Sequence, residues 1–127
     1  MVGIGSGDSA AYNIGLKAVP LAELREYALT IRSLLTIGRA EYHGTTARFT
    51  WSRVSLPLFL AASGPKTLRL AGQIADGVVV RTGIRPDIIR DSIAQVHAGA
   101  REAGRDPETV EMWWWPDANI EIGRAHV

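Results

Sequence analysis

The stretch LAASGPKTLRLAGQIADGVVV, residues 60–80, holds a strand, a small-residue turn, a helix and a second strand in little more than twenty residues. Upstream it begins as the continuous apolar run Pro57-Leu58-Phe59-Leu60-Ala61-Ala62, too short for a helix and suited to a strand buried on both faces. From about Pro65 to Ala75, Leu68, Ala71 and Ala75 fall on one side of a helix. Asp76-Gly77 ends that helix, and Val78-Val79-Val80 forms the next buried strand. A strand, a helix and a strand at this spacing make a parallel pair, because the helix must return the chain to the starting end.

The same unit recurs on either side. Toward the N-terminus, Val2-Gly3-Ile4-Gly5 is a short apolar stretch. It is followed by a helix from Pro20 to Leu35 with Leu21, Leu24, Ala28, Ile31 and Leu35 at steps of three and four. Pro20 suits the start of this helix and Gly38 its end. Residues 39–55 alternate less clearly, and Tyr42-His43-Gly44 before Ala47-Arg48-Phe49 reads as a small hairpin or an excursion on the surface. Toward the C-terminus, a helix from about Pro86 to Ala103 places Ile89, Ile93, Val96 and Ala100 on one face. Gly104 stops it, Asp106-Pro107-Glu108 turns, and Val110 to Trp115 reads as a last strand. In that strand Trp113 and Trp115 share one face and Trp114 takes the other; they read as plain packing bulk or, in a closed barrel, as core packing plus an aromatic wall near the ligand, with packing bulk the expected role. The expectation is an α/β fold of about four parallel strands with three intervening helices, in one domain.

Composition narrows the function. Apolar residues are 46% of the 127 and charged residues 21%, the balance of a chain with a globular core. A formal net charge of +1 gives no case for a nucleic-acid partner or an anionic membrane surface. No apolar run approaches the roughly 20 residues that span a bilayer. The chain has no cysteine, and no basic segment precedes the first strand, so a cytoplasmic location is expected. His43, His97 and His126 stand in three unrelated contexts without metal-ligand spacing, and no metal site is expected. Neither a G-x-S-x-G elbow nor a recognisable pair of catalytic carboxylates is present.

Chemistry in parallel α/β folds gathers where strands end and helices begin, because the first-turn amides and the positive end of the helix dipole face outward there. Ala62, Ser63 and Gly64 allow close approach to the backbone, Ser63 offers a hydroxyl, and Lys66 offers a flexible cation. These are the parts of a phosphate site; they are also the parts of an N-cap serine followed by a surface lysine. The first junction, Gly3-Ile4-Gly5-Ser6-Gly7-Asp8, fails the dinucleotide fingerprint at its third glycine, where Asp8 stands. It is a better local match to a methyltransferase glycine loop, or simply a tight turn with an aspartate cap. After the valine strand, Thr82 in Arg81-Thr82-Gly83 either reaches a ligand or ends the strand.

The order and spacing of these blocks resemble the luciferase-like monooxygenase superfamily of flavin- and deazaflavin-dependent oxidoreductases. The resemblance rests on Gly3-Ile4-Gly5-Ser6-Gly7-Asp8 and on Pro57 through Lys66. It continues through Leu68, Leu70-Ala71-Gly72, Ile74-Ala75-Asp76-Gly77 and Gly104-Arg105-Asp106-Pro107, spanning residues 2 to about 116. Within the superfamily the chain is most similar to the methylenetetrahydromethanopterin reductase-like branch. The resemblance implies a (β/α)8 TIM barrel that holds FMN or coenzyme F420 at the carboxyl ends of its strands and transfers a hydride to or from a small-molecule substrate. It implies Ser6, Gly7 and Asp8 near the ring or ribityl chain, phosphate on Ala62, Ser63, Gly64 and Lys66, and Thr82 closing that pocket. Some deazaflavin enzymes of this kind have an acidic residue acting in proton transfer where Asp8 stands.

The resemblance also implies a fragment. Met1 coincides with the start of a middle strand, so residues 1–120 are read as the C-terminal-side portion of a luciferase-like barrel domain lacking the first three strands. Those strands would include a frequently used catalytic histidine. Ile122-Gly123-Arg124-Ala125-His126-Val127 matches one reading frame of a sequencing-library adapter, and residues 121–127 are read as a non-native tail. A barrel of this type takes about 250 residues. Four strands alone leave two open edges and a bare apolar face, which predicts association or poor solubility and weak flavin binding. A homo-oligomer is expected of the full-length form. Two other functions remain in view: an S-adenosylmethionine-dependent methyltransferase using the first glycine loop, and a non-catalytic half-barrel that works by association.

Overall fold

The structure, a computed structural model, describes residues 1–7, 9–50 and 54–116. Its elements run β1 (Val2–Ile4), α1 (Ser9–Asn13), α2 (Leu21–Ile37), β2 (Arg39–Tyr42), β3 (Thr45–Arg48), β4 (Leu58–Ala62), α3 (Pro65–Ile74), β5 (Gly77–Val80), α4 (Pro86–Glu102) and β6 (Glu111–Trp114). A 3-10 turn, Pro107–Thr109, precedes β6, and the Asp106 side chain accepts from the Glu108 amide at its start. Strands β1, β4, β5 and β6 form one parallel sheet in that order. Each neighbour in the sheet is reached through a helix, α2, α3 and α4 in turn, which is the βα repetition expected from the sequence. The tail 121–127 lies outside the described residues, as does Asp8.

The helices cover one face of the sheet. Leu58, Leu60 and Ala62 of β4 and Val78 and Val80 of β5 are buried against Leu68 and Ala71 of α3, Val96 and Ala100 of α4, and Leu24 and Ala28 of α2. Strand alternation sends Phe59, Ala61, Val79 and Trp113 to the other face. There Phe59 meets Trp113 edge to face at 5.9 Å and is itself buried. The tryptophans follow the alternation but only partly serve as packing: Trp114 lies against the core, whereas Trp113 and Trp115 are 49% and 64% exposed.

Helix α3 is buried on more than its sheet side, because α4 crosses it at very short range. A Cβ at Gly72 would stand 2.0 Å from the Val96 carbonyl oxygen, and one at Gly99 would stand 1.9 Å from that of Arg69. Only residues without a side chain allow this approach. Arg105, just past α4, donates to the carbonyls of Gly72 and Ala75 at 2.7 Å each, satisfying acceptors that the end of α3 leaves without helical partners. At the amino ends of the strands, the Asp76 carboxylate accepts from the Leu58 amide at 2.7 Å and from Arg32 at 2.8 Å. Asp76 thereby joins α2 to the central strands.

Of the two forms that residues 39–55 allow, the structure takes the hairpin: β2–β3 is antiparallel, with Tyr42 opposite Thr45. His43 and Gly44 have φ of 48° and 76°, the positive pair of a tight two-residue turn. Gly38, at φ 79°, ends α2 as the sequence predicts.

Candidate functional site

The carboxyl ends of β1, β4 and β5 open on one side of the sheet into a cleft of about 410 Å³. Gly5, Ser6 and Gly7 form one wall, Ala61, Ser63 and Gly64 the floor, and Thr67 and Arg81 the remaining sides. Through Gly64 and Thr67, the N-terminus of α3 borders the cleft. Gly64 is the N-cap, extended at φ −109° and ψ 158°, and no side chain caps the helix. Pro65 has no N–H to offer, so the amides of Lys66 and Thr67 are the first-turn donors left without a capping side chain. A Cβ at Gly64 would touch nothing within 4 Å. The ground before the helix is therefore open space, faced by the positive end of the helix dipole.

The wall opposite is fixed by backbone pairing. The Val19 amide donates to the Ser6 carbonyl at 2.8 Å, tying the start of α2 to the β1 loop. Ser6, Ser63 and Thr67 bring hydroxyls and Arg81 brings a guanidinium, a donor set suited to an anion with several acceptor oxygens. Beside the cleft, Ala61 and Arg81 also border a hollow of about 350 Å³ whose other walls are Val79 and Trp115. Charge-binding groups thus adjoin an apolar surface.

Of the residues that the resemblance points to, the structure brings Ser6, Gly7, Ser63 and Gly64 together along one cleft. Ala62 is placed differently: it shares the parity of Leu58 and Leu60, so its side chain packs under the helices and Ala61 takes the cleft position. Thr82 is turned away as well, its hydroxyl 3.1 Å from that of Ser92 on α4, and Arg81 stands at the cleft. Lys66 lies on the neighbouring side of α3, in a groove against α2, while Thr67 occupies the cleft side. Asp8 is outside the described residues. Thr67 and Arg81 also line the cleft, although the sequence reading assigned them no role. For Arg81 the signal was available, since it is the first residue beyond a buried strand.

Known proteins place this geometry in a lineage. Residues 1–114 match the family model described as luciferase-like monooxygenase. A 5,10-methylenetetrahydromethanopterin reductase from Methanolobus tindarius is 30% identical over 119 residues, covering 88% of this chain and 36% of the relative. An F420-dependent glucose-6-phosphate dehydrogenase from Nakamurella multipartita is 32% identical over 123 residues, covering 83% of this chain and 34% of the relative. Among solved structures, the F420-dependent tetrahydromethanopterin reductase from Methanopyrus kandleri superposes with a TM-score of 0.68 at 23% identity, over 91% of this chain and 40% of that one. An F420-dependent secondary alcohol dehydrogenase, in complex with an F420-acetone adduct, gives 0.72 at 25% identity, over 89% and 38%. The chain spans a little over a third of the length of the curated relatives it matches. Its four-stranded parallel sheet, its cleft at the strands' carboxyl ends and a match running from residue 1 to residue 114 make it a member of the luciferase-like monooxygenase family.

Proposed function

We propose that this chain carries the anion-binding part of the cofactor site of an F420-dependent oxidoreductase acting on a small molecule. The observation that carries the reading is the uncapped N-terminus of α3 opening into the cleft. A phosphate group is acceptor-only and negative, and the amides of Lys66 and Thr67, the three hydroxyls and Arg81 are all donors. Gly5, Gly7 and Gly64 keep side chains out of the approach. The apolar hollow beyond Ala61 suits the planar end of the same molecule. Such a cofactor, when bound, supplies the hydride chemistry. The chain's own part is to fix the cofactor's anionic end, hold it in register with the sheet and keep water from the apolar side.

F420 is chosen over FMN because the relatives' names support it. The methyltransferase reading loses ground to the family match, and the half-barrel association reading has no interaction motif behind it. Asp8 as a proton-transfer residue is part of the proposal; unchanged turnover in Asp8→Asn would remove it. Titrating the protein with F420, FMN and S-adenosylmethionine, read by cofactor fluorescence and thermal shift, tests the whole reading. F420 is expected to bind most tightly. Stabilisation by S-adenosylmethionine with no response to either flavin would overturn it.

A further inference from the structure

A separate hollow adjoins the glycine wall of the cleft. Gly5 borders both spaces, and the bond from the Val19 amide to the Ser6 carbonyl ties the chain between them. The hollow measures about 220 Å³, with Ile4, Val19 and Leu24 as its aliphatic walls. Tyr27 and Tyr42 add two aromatic walls, and Glu23 adds a carboxylate. Neither lysine nor arginine lines it. In this it differs from the cleft, which has Arg81, and from the groove between α2 and α3, which has Arg25, Lys66 and Arg69.

Two elements build the polar side of this hollow. Glu23 and Tyr27 stand four residues apart on α2 and so share one face of it. Tyr42 comes from β2, held in register opposite Thr45 by the hairpin. The two tyrosine rings have centroids 5.9 Å apart and planes at 68°, which makes them adjoining walls of a corner. His43 stacks on Tyr42 at 4.1 Å, and its Nε2 lies 3.8 Å from a Glu26 carboxylate oxygen, so the ring of Tyr42 is backed and the hairpin is tied to α2. Glu23 makes no ion pair among the described residues. Burial, and then the charges of Glu23 and Glu26, push the Tyr42 phenol above its ordinary titration range. A further negative charge is disfavoured there, and the same field attracts a positive one. As a first-turn acid Glu23 also complements the dipole of α2, a role that requires no aromatic corner beside it.

We propose that this hollow binds a small alkylated ammonium ion, with the Tyr27–Tyr42 corner taking its methyl-clad positive charge and Glu23 supplying the counter-charge. A bare ammonium group would demand hydrogen-bond acceptors on several sides, and the walls here are mainly aliphatic and aromatic. A cation whose charge is spread over methyl groups loses less on leaving water. It meets ring faces by cation–π attraction and aliphatic walls by apolar contact at the same time. The size of the hollow limits the occupant to a few carbon atoms around one nitrogen. The site is independent of the cofactor reading, since none of its side chains belongs to the donor set of the cleft.

The test compares choline with neohexanol, its uncharged isostere with carbon in place of the nitrogen, by following their methyl protons in NMR titrations of the whole chain. Choline is expected to bind about tenfold more tightly, with its methyl signal moved upfield by the tyrosine rings. Tyr27→Leu lowers choline affinity about threefold and shrinks that upfield shift, while the weak binding of neohexanol changes little. Glu23→Gln also lowers choline affinity about threefold but leaves the shift at saturation in place, because the rings remain. Both substitutions fall on exposed positions of α2, so the variants keep the fold. Equal binding of the two probes would mean an apolar hollow and nothing more, and overturns the proposal. So does an absence of choline binding, a choline signal without an upfield shift, or an affinity that neither substitution lowers. None of these results bears on the anion cleft, whose cofactor titration is read separately.

Discussion

Gly64 shows how one missing side chain sets stability against binding. Its extended backbone suits any residue, and a Cβ there would have open space. Asp at this N-cap would accept from the first-turn amides and complement the helix dipole. Gly64→Asp is therefore expected to stabilise the fold by about 0.5–1 kcal/mol. The same carboxylate would occupy the donors offered to phosphate and repel it, so thermal melting should rise while cofactor affinity falls at least tenfold. A variant that melts higher and binds as before would show that the anion lies elsewhere. The residues that escaped the sequence reading did so for related reasons. Strand β4 is apolar on both faces, so alternation could not tell Ala61 from Ala62. In the first turn of α3, Lys66 and Thr67 diverge by about 100°, and only the packing of the helix decides which side meets the cleft. Charge drew attention to Lys66, but position favours Thr67.

At the scale of elements, α3 is the member that the others position. Replacing Gly72 or Gly99 by Ala would gain about 1 kcal/mol of helix propensity. Each would also force a Cβ into a carbonyl about 2 Å away, so the helices must separate. The clash wins, and either variant should lose about 3 kcal/mol in urea unfolding. Asp76 supplies a contrast between its partners. Asp76→Ala leaves the Leu58 amide without its acceptor and should cost about 1–3 kcal/mol. Arg32→Ala removes only a half-exposed ion pair and should cost less than about 1 kcal/mol. Equal losses would mean that the ion pair, not the amide, matters. These elements were legible because their signals are local: Pro65 at a helix start, Gly38 and Gly104 at helix ends, and the apolar run of β4. The α3–α4 crossing was not, since two glycines 27 positions apart in sequence announce no contact.

For the molecule as a whole, the sheet face opposite the helices governs behaviour. Phe59, Ala61, Val79 and Trp113 lie on it, Trp115 stands exposed at its rim, and β1 and β6 each pair on one side only among the described residues. Unpaired strand edges beside an apolar surface promote association. Size-exclusion chromatography at increasing concentration should show growth beyond the monomer, reduced in the double variant Trp113→Ser, Trp115→Ser. A concentration-independent monomer would refute this. That the four strands run parallel was readable from the spacing of the βα units, and the likeness to their family from the motif blocks around Gly3–Asp8 and Pro57–Lys66. The exposure of Trp113 and Trp115 was not, because it depends on what covers the face rather than on the strand that bears them.

Helix α3 is held firmly at its rear, by the Arg105 clamp and the glycine crossing, and carries no side-chain cap at its front. Deuterium should therefore enter it from one end only, fastest at the amides of Lys66 and Thr67 and slowest beyond Ala71. A ligand seated at the front would slow exchange at those two amides and leave the protected remainder of the helix unchanged, so occupancy could be followed without any spectroscopic property of the ligand.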